Sequence, residues 1–564
     1  MRKNRRALWL LLAGVCLAGC ASGVAGQAED WGIQIPRQST LTPFQPAAPT
    51  LTPTPQVVRL GVDGNVPAAL RDAIQLGSGV EWAQDGQPAE ALISVVGADE
   101  SMSVWVYALV APFPTVRDGV SLEELKGLWR GEPLDDLQGQ PLYVDEATRL
   151  SLEAQWGEPA SGLVETAAAD ALLNLAWQTK TAWAIVPFER LDPRWKVLRV
   201  DGVSPFDAGF SAQAYGLTVD YGLMPGTSVA AAAGSIQLPP TNRDAQKMTS
   251  LLMTGVTALT RATGRKMETE GMTYPAVDVI GWFEQADLVH ISNEVSFTDT
   301  CPPANPGQTA LQFCSRPEYL ELLDYIGVDI MELSGNHLMD WGWDPFTQSM
   351  QIYQERGWKT FAAGSNLEEA RQPLLLEHHG NRLAFIGCNP AGPARVWATE
   401  EFPGVATCDY DWMAAEIRRL REEGYLVIAT QQFFESYGFE PGAEQIQVFN
   451  RLANAGAVIV SGSQAHHPQG MAFTGEGGFI HYGLGNLFFD QMRMPDGAAP
   501  EFFSAGLPIA GVRLEFLDRH IFYEGRYLGT ELYTAMLEDY ARPRPMTEEE
   551  RDQFLKEAFE RSDW

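Results

Sequence analysis

The sequence predicts an α/β protein with two globular domains, and three observations support this. Its 564 residues exceed what one hydrophobic core usually supports. Short apolar strands alternate with amphipathic helices over most of the chain. In the second half, several strands end in polar residues, which is where open α/β sheets bind ligands. An apolar fraction of 45% excludes wholesale disorder.

The charge balance excludes one class of partner. The chain holds 40 Lys and Arg residues against 72 Asp and Glu residues, which gives a net charge of −32. Such a surface repels nucleic acid, and it also repels anionic lipid surfaces. We therefore expect no nucleic acid among the partners.

Residues 1–19 have the features of a signal peptide for export. Four basic residues precede the apolar run of residues 7–18, which is shorter than a membrane span. The run ends in Leu17-Ala18-Gly19-Cys20, which resembles the bacterial lipobox and implies that Cys20 is lipidated. The sequence thus predicts a lipid-anchored protein on the extracytoplasmic face of a bacterial cell membrane. A signal peptide cut nearby, without lipidation, is the alternative.

Changes in composition predict the domain boundaries. Residues 20–56 form a stalk, because six Pro and five Thr residues within 36–55 favour an extended, semi-rigid chain. A first α/β domain covers residues 57–225, and a linker covers residues 226–246. A second α/β domain covers residues 247–530. The tail of residues 531–564 is expected to contain one short surface helix.

The first domain carries a resemblance of its own. Residues 57–62 read as a strand, a crossing segment covers 110–115, and Ser121 caps a helix that covers 121–131. These segments resemble periplasmic solute-binding proteins of the phosphate-binding type. The resemblance implies a solute receptor, and an α/β domain that binds nothing is the alternative.

Four cysteines remain after the signal peptide and the lipidation site. An even number in an exported chain indicates disulfides, and four cysteines allow three pairings. We expect the near neighbours to pair, Cys301 with Cys314 and Cys388 with Cys408. Their spacing resembles no zinc-binding pattern.

Three motifs in the second domain carry its resemblance to a known family. They are Gly335-Asn336-His337 with Asp340, the segment 462–470, and Tyr482 with Leu484-Gly485-Asn486. In this order they resemble the CapA family, which is linked to capsule and poly-γ-glutamate synthesis and has a metallophosphatase-like fold. The resemblance covers about residues 248–492. It implies a four-layer α/β/β/α sandwich with a site at the ends of the strands.

The resemblance also implies a metal centre whose ligands are partly substituted. Glu294, Asn336 and His466 match ligand positions, and His337 with Asp340 matches the catalytic acid. Val256, Gln431 and Gln464 stand where the family has a carboxylate and two histidines, so we expect at most one divalent metal ion, or none. The resemblance marks a further set of residues for binding: Asn293, Gln431, Glu435, Gln464, His467 and Asn486.

These observations favour a surface lipoprotein of the CapA type, acting in the synthesis or processing of a capsule or poly-γ-glutamate-like exopolymer. If active, it would be a metal-dependent hydrolase. A non-catalytic binding or scaffold protein, or a solute receptor acting through the first domain, are the alternatives. The expected partner is the exopolymer or a small anionic ligand.

Two structural interpretations stay open for residues of the expected site. His466 and His467 would be bonded only to backbone, and Asn336 and His337 would cap the next helix.

Overall fold

The computed structural model describes residues 57–84, 86–224, 233–308, 310–475, 477–493, 501–502 and 510–564. The predicted signal peptide, Cys20 and the stalk of residues 20–56 lie outside these ranges, as does the first part of the linker. No helix in the described ranges is long and apolar enough to cross a bilayer.

The first domain is built around one mixed sheet. The strands are β1 (Val58–Val62), β2 (Gln75–Leu76), β3 (Val80–Trp82), β4 (Ala91–Val95), β5 (Ser103–Pro112), β6 (Gly119–Val120), β7 (Leu142–Val144), β8 (Val164–Thr166), β9 (Trp183–Pro187), β10 (Trp195–Val200) and β11 (Thr218–Leu223). The helices are α1 (Ala68–Ala73), α2 (Leu122–Arg130), α3 (Glu146–Trp156), α4 (Leu172–Thr179) and α5 (Ala212–Tyr215). The order β3-β1-β4-β11-β5-β9-β7-β8 forms the main path, and β10 joins β5 to β6.

The second domain contains two larger sheets. The strands are β12 (Ile236–Gln237), β13 (Met248–Thr257), β14 (Leu288–Asn293), β15 (Ile330–Glu332), β16 (Lys359–Phe361), β17 (Ala363–Gly364), β18 (Leu374–His378), β19 (Asn381–Cys388), β20 (Gly404–Val405), β21 (Leu426–Gln432), β22 (Ala457–Ser463), β23 (Met471–Phe473), β24 (Phe479–His481), β25 (Met492–Arg493), β26 (Glu501–Phe502), β27 (Leu514–Tyr523), β28 (Arg526–Glu538) and β29 (Arg542–Pro545). Sheet I has the order β16-β15-β14-β13-β27-β28-β29, and sheet II has the order β18-β19-β21-β22-β24-β23. Strand β12 pairs with β2 of the first domain, so the end of the linker packs back on that domain.

The helices of the second domain pack against these two sheets. They are α6 (Arg261–Glu270), α7 (Ile280–Glu284), α8 (Leu320–Ile326), α9 (Trp343–Arg356), α10 (Leu367–Ala370), α11 (Tyr410–Glu422), α12 (Ala443–Asn454) and α13 (Glu548–Glu560). Alternate residues of a strand face opposite sides. Leu252 of β13 therefore packs in the core under α8 and α9, while Leu251 and Met253 pack between the sheets. Sheet II buries its outer face under α11 and α12. These layers confirm the predicted α/β/β/α sandwich.

The second domain continues beyond the predicted boundary at residue 530. Strand β28 runs from Arg526 to Glu538 within sheet I, and β29 pairs with it. The final helix α13 is not a free surface helix, because Phe554, Leu555 and Phe559 are buried in the core between the sheets. The tail is thus part of the domain core, which its charged composition concealed.

Two disulfides form as predicted. Cys301 pairs with Cys314, and Cys388 pairs with Cys408. The second bridge lies at the end of β19 and packs in the core under α11. It therefore fixes the chain directly after a strand whose end contributes to the cleft described next.

Candidate functional site

The carboxyl ends of the parallel strands of both sheets meet in one polar cleft. Glu294 follows β14, Asn336 and His337 follow β15, and His466 follows β22. Parallel strands joined by right-handed crossovers bring these loops to one edge, where α/β folds place ligands. Asn486, which follows β24, is also part of the cleft.

Glu294 lies at the centre of the cleft and joins the two sheets. Its side chain is buried, with 1% exposure. Oε1 accepts a hydrogen bond from Gln432 Nε2 at 3.3 Å and lies 3.9 Å from His466 Nε2. Oε2 has no hydrogen-bond partner among the described residues. A buried carboxylate oxygen without a partner is costly, so it marks a place for a donor or a cation.

His466 is held in a fixed orientation toward two carboxylates. Asn486 Nδ2 faces two backbone carbonyls, so its Oδ1 accepts a hydrogen bond from His466 Nδ1 at 2.8 Å. Nε2 then lies 3.9 Å from Glu294 and 3.9 Å from Glu435. His466 has φ +54° and Gln464 has φ +76°, a backbone region that side-chain-bearing residues seldom adopt. Such strain persists at functional sites when the surrounding structure enforces it.

His337 is paired with a buried carboxylate of the cleft. Its Nδ1 donates to Asp340 Oδ2 at 2.6 Å, and Asp340 Oδ1 accepts from Arg395 at 3.1 Å. Burial opposes protonation of His337, but the hydrogen bond to Asp340 and the negative charges of Glu294 and Glu435 outweigh burial and raise its pKa. The residue does not cap α9, since that helix starts at Trp343 and no side chain caps its first turn.

Two further acceptors point away from all described partners. Asn336 Oδ1 and Gln464 Oε1 are buried and have no hydrogen-bond partner among the residues that the structure describes. The loop that carries Asn336 is pressed against Glu294. A Cβ added at Gly335 would lie 2.6 Å from Glu294 Cα, so only glycine fits there. Asn336 is therefore placed beside the acid.

Three residues that the sequence marked for binding face other parts of the molecule. Asn293 donates to Tyr353 Oη of α9 at 3.1 Å, on the helix side of sheet I. Gln431 accepts from Tyr410 Oη at 3.0 Å, on the helix side of sheet II. His467 Nδ1 donates to its neighbour Pro468 O, and its ring packs on Phe439. His467 thus matches the structural interpretation, whereas His466 does not.

Sequence reasoning missed two cleft residues. Gln432 takes the place expected for Gln431, because alternation along β21 turns Gln432 toward the space between the sheets. Asn389, directly after β19, donates to Gln432 Oε1 at 2.7 Å and to Ser334 O at 2.7 Å. The alternation of side chains along β21 would have identified Gln432. The signal for Asn389 was a polar residue directly after an apolar strand.

The cleft does not fit a two-metal centre. Val256, at the position where the sequence resemblance implies a carboxylate, is fully buried in an apolar cluster with Val295, Phe313 and Phe489. Among the described residues, no three His, Cys, Asp or Glu side chains of this cleft bring ligand atoms within 4.8 Å of one another. The free oxygens of Glu294 and Asn336 with His466 Nε2 suit one ion at most, since two ions require a second set and a bridging group.

The polar groups at one sheet end of the first domain bond mainly to one another. Ser94 donates to Asp63 Oδ2 at 2.9 Å and accepts from Asn65 Nδ2 at 3.0 Å. Tyr107 Oη and Tyr221 Oη lie 2.9 Å apart in the same region. These groups are satisfied internally, so the solute-receptor interpretation stays a prediction.

Comparison with known proteins places residues 250–491 in the family described as bacterial capsule synthesis protein PGA_cap. The chain is 25% identical over 198 residues to the capsule biosynthesis protein CapA of Bacillus anthracis, covering 34% of this chain and 48% of that protein. It is 24% identical over 190 residues to the PGA biosynthesis protein CapA of Bacillus subtilis strain 168, covering 33% and 49%. The chain thus spans about half the length of the curated relatives it matches.

One solved structure overlaps more of the chain at lower similarity. The 5'-nucleotidase precursor from Thermus thermophilus is 14% identical, with a TM-score of 0.30, and the match covers 55% of this chain and 57% of that one. The fold assignment of the second domain rests on the two stacked sheets and their three cores.

Proposed function

We propose, from the premise that residues 250–491 belong to the bacterial capsule synthesis protein family, that the chain acts in capsule or poly-γ-glutamate-like exopolymer synthesis and binds the polymer in the cleft around Glu294. The role is binding or positioning of the polymer rather than two-metal hydrolysis. The chain would do this at the cell surface, held there by a lipid on Cys20.

The observation that carries the proposal is the set of unpaired acceptors beside one cation. Glu294 Oε2, Asn336 Oδ1 and Gln464 Oε1 are buried without described partners, and His337 is charged more readily than a free histidine. A glutamyl polymer offers matching groups, since its amide N–H and terminal ammonium donate while its carboxylates accept from a cation. A fully ionised ligand such as sulfate has no hydrogen-bond donor and would leave the acceptors unpaired.

The substituted ligands support binding over catalysis. Gln432 gives an amide N–H to Glu294, which keeps a hydrogen bond and supplies no ligand to a transition metal. Val256 cannot bridge two ions, and its position is filled by apolar side chains. The fold is therefore retained, but position 256 lacks the bridging carboxylate that two-metal hydrolysis needs.

The first test measures polymer binding by calorimetry on the full chain in detergent micelles. Glu294→Gln and His337→Gln should each weaken poly-γ-glutamate binding by about tenfold or more, because each removes a charge-assisted hydrogen bond. Glu377→Gln, an exposed change on β18, is the matched control and should bind like wild type. Polyphosphate should compete poorly, since it lacks donors.

Two outcomes would contradict this function. If Glu294→Gln, His337→Gln and Glu377→Gln all bind the polymer as tightly as wild type does, the cleft is not the binding site. If the wild-type protein shortens the polymer when Mn²⁺ or Mg²⁺ is added, and Glu294→Gln does not, the protein is a metal-dependent hydrolase and the binding role is wrong.

The lipid anchor is tested separately. We expect Cys20→Ser to release the protein from the membrane fraction or to leave an unprocessed precursor, because the thiol at the end of the lipobox-like segment is the only atom that could carry the lipid there. Fractionation with detection of the processed size is the measurement. A variant that is processed and sediments with membranes as wild type does would refute the anchor.

A further inference from the structure

A cluster of metal-ligand side chains lies at the edge of the sheets opposite the cleft. Asp287 directly precedes β14 of sheet I, while His378 and His379 lie at the β18–β19 hairpin of sheet II. One ligand atom from each lies within 4.8 Å of the others. Asp287 and His379 are exposed and His378 is half-buried, so solvent reaches the cluster. The capsule-family resemblance assigns these residues no role.

His379 presents one free ring nitrogen. Its Nδ1 donates to the carbonyl oxygen of Met248 at 2.6 Å, because a carbonyl can only accept. Nε2 is therefore the nitrogen left for a ligand. A metal-binding histidine usually donates a hydrogen bond from its other ring nitrogen to a carbonyl or carboxylate oxygen. That bond fixes the tautomer and the orientation of the ring.

His379 lies at the first position of a tight hairpin turn. His379 and Gly380 form a two-residue hairpin loop with φ +47° and +77°, which matches a type I′ turn. Asn is the residue favoured at the first position of that turn. Histidine is also among the residues enriched in this backbone region, so the turn accepts His379 and holds its imidazole at the tip of the hairpin.

In His378, too, Nε2 is the ring nitrogen left for a ligand, because Nδ1 is engaged by Thr249. Thr249 Oγ1 donates its one proton to the carbonyl oxygen of His378 at 2.9 Å and accepts from Asn381 Nδ2 at 3.0 Å. With that proton on the carbonyl oxygen, Nδ1 is the donor in the contact of 3.0 Å between Thr249 Oγ1 and His378 Nδ1.

Asp287 supplies the carboxylate. Its Oδ2 accepts from the backbone N and the Oγ of Ser250, both at 2.8 Å, so the side chain is held in place. Two imidazoles and one carboxylate, each oriented by a neighbour, form a ligand set that transition metals bind and that Mg²⁺ and Ca²⁺ do not prefer.

We propose that Asp287, His378 and His379 bind one divalent transition-metal ion of the Zn²⁺ type, which links sheet I to sheet II at the edge opposite the cleft. Three protein ligands leave one position of a tetrahedral ion for water. The ion would tie the start of β14 to the β18–β19 hairpin, so its expected effect is on stability rather than on the cleft.

The test uses the full chain carrying a histidine-free tag, stripped of metal by a chelator. Titration with Zn²⁺ by calorimetry should show one site per chain with micromolar or tighter affinity, and Zn²⁺ should raise the thermal unfolding midpoint. Bound Co²⁺ should give the visible absorption of a tetrahedral ion. Asp287→Asn, which can keep the acceptor for Ser250, and His379→Asn should each weaken this binding by at least about tenfold.

The variants separate loss of a ligand from loss of the fold. His379→Asn places the preferred Asn-Gly pair in the turn, so without metal its unfolding midpoint should equal or exceed that of wild type. His466→Asn alters the cleft and should keep the Zn²⁺ site. The proposal is overturned if wild type binds Zn²⁺ only at millimolar concentration, if both cluster variants bind as wild type does, or if the ion is lost in His466→Asn instead.

Discussion

Val256→Asp is expected to lower the free energy of unfolding by about 4 kcal/mol at pH 7, although it restores the residue type that the family has at this position. Val256 is fully buried among Val295, Phe313 and Phe489. An aspartate there must either stay charged in an apolar environment or take up a proton far above its usual pKa. Denaturant unfolding followed by circular dichroism measures the change.

Val277→Asp is the matched control, because Val277 is 45% exposed and the chemical change is the same. Its effect should stay within about 0.5 kcal/mol, as for most surface substitutions. A Val256→Asp protein as stable as wild type would show that this pocket accepts a carboxylate. If Mn²⁺ then stabilised the variant, the cleft would be a metal centre lacking only one ligand, and the binding role would lose its main support.

Strand parity explains why the sequence identified the right segments of the cleft and, in two cases, the wrong residues. Val289 and Ile291 of β14 face the helices, so Asn293 does too, and Glu294 turns toward sheet II. Along β21 the same alternation sends Gln431 toward α11 and Gln432 into the cleft. Motif alignment fixes the segment, whereas the two-residue period decides which side chain reaches the site.

Local signals predicted individual elements better than the ends of the domain. Ser121 caps α2, as the sequence indicated, and the structure adds a capping box to Glu124. Gly327 ends α8 in the left-handed conformation. The strands beyond residue 530 escaped prediction, because their stability comes from pairing with β27 and β28 rather than from local pattern. The polar cleft at the sheet edge follows from topology, so the predicted fold was sufficient to place Glu294, His337 and His466 together.

Gly462→Ala is expected to lower the free energy of unfolding by about 3 kcal/mol or more, because the space for its side chain is occupied by backbone. An added Cβ at Gly462 would lie 1.9 Å from the carbonyl oxygen of Tyr482. Gly462 lies in β22, and the Tyr482 carbonyl lies just beyond its partner β24, directly before the loop that carries Asn486. The two loops that orient His466 must therefore move apart.

Gly281→Ala gives the opposite expected result and controls for the general effect of replacing glycine. Gly281 lies inside α7, and an added Cβ there would meet no atom within 4 Å. Alanine favours a helix interior over glycine, so stability should rise by about 0.5–1 kcal/mol. Denaturant unfolding of both variants decides the matter. A Gly462→Ala protein as stable as Gly281→Ala would mean that β22 and the chain after β24 are not packed this closely, and the placement of His466 against Asn486 would fail with it.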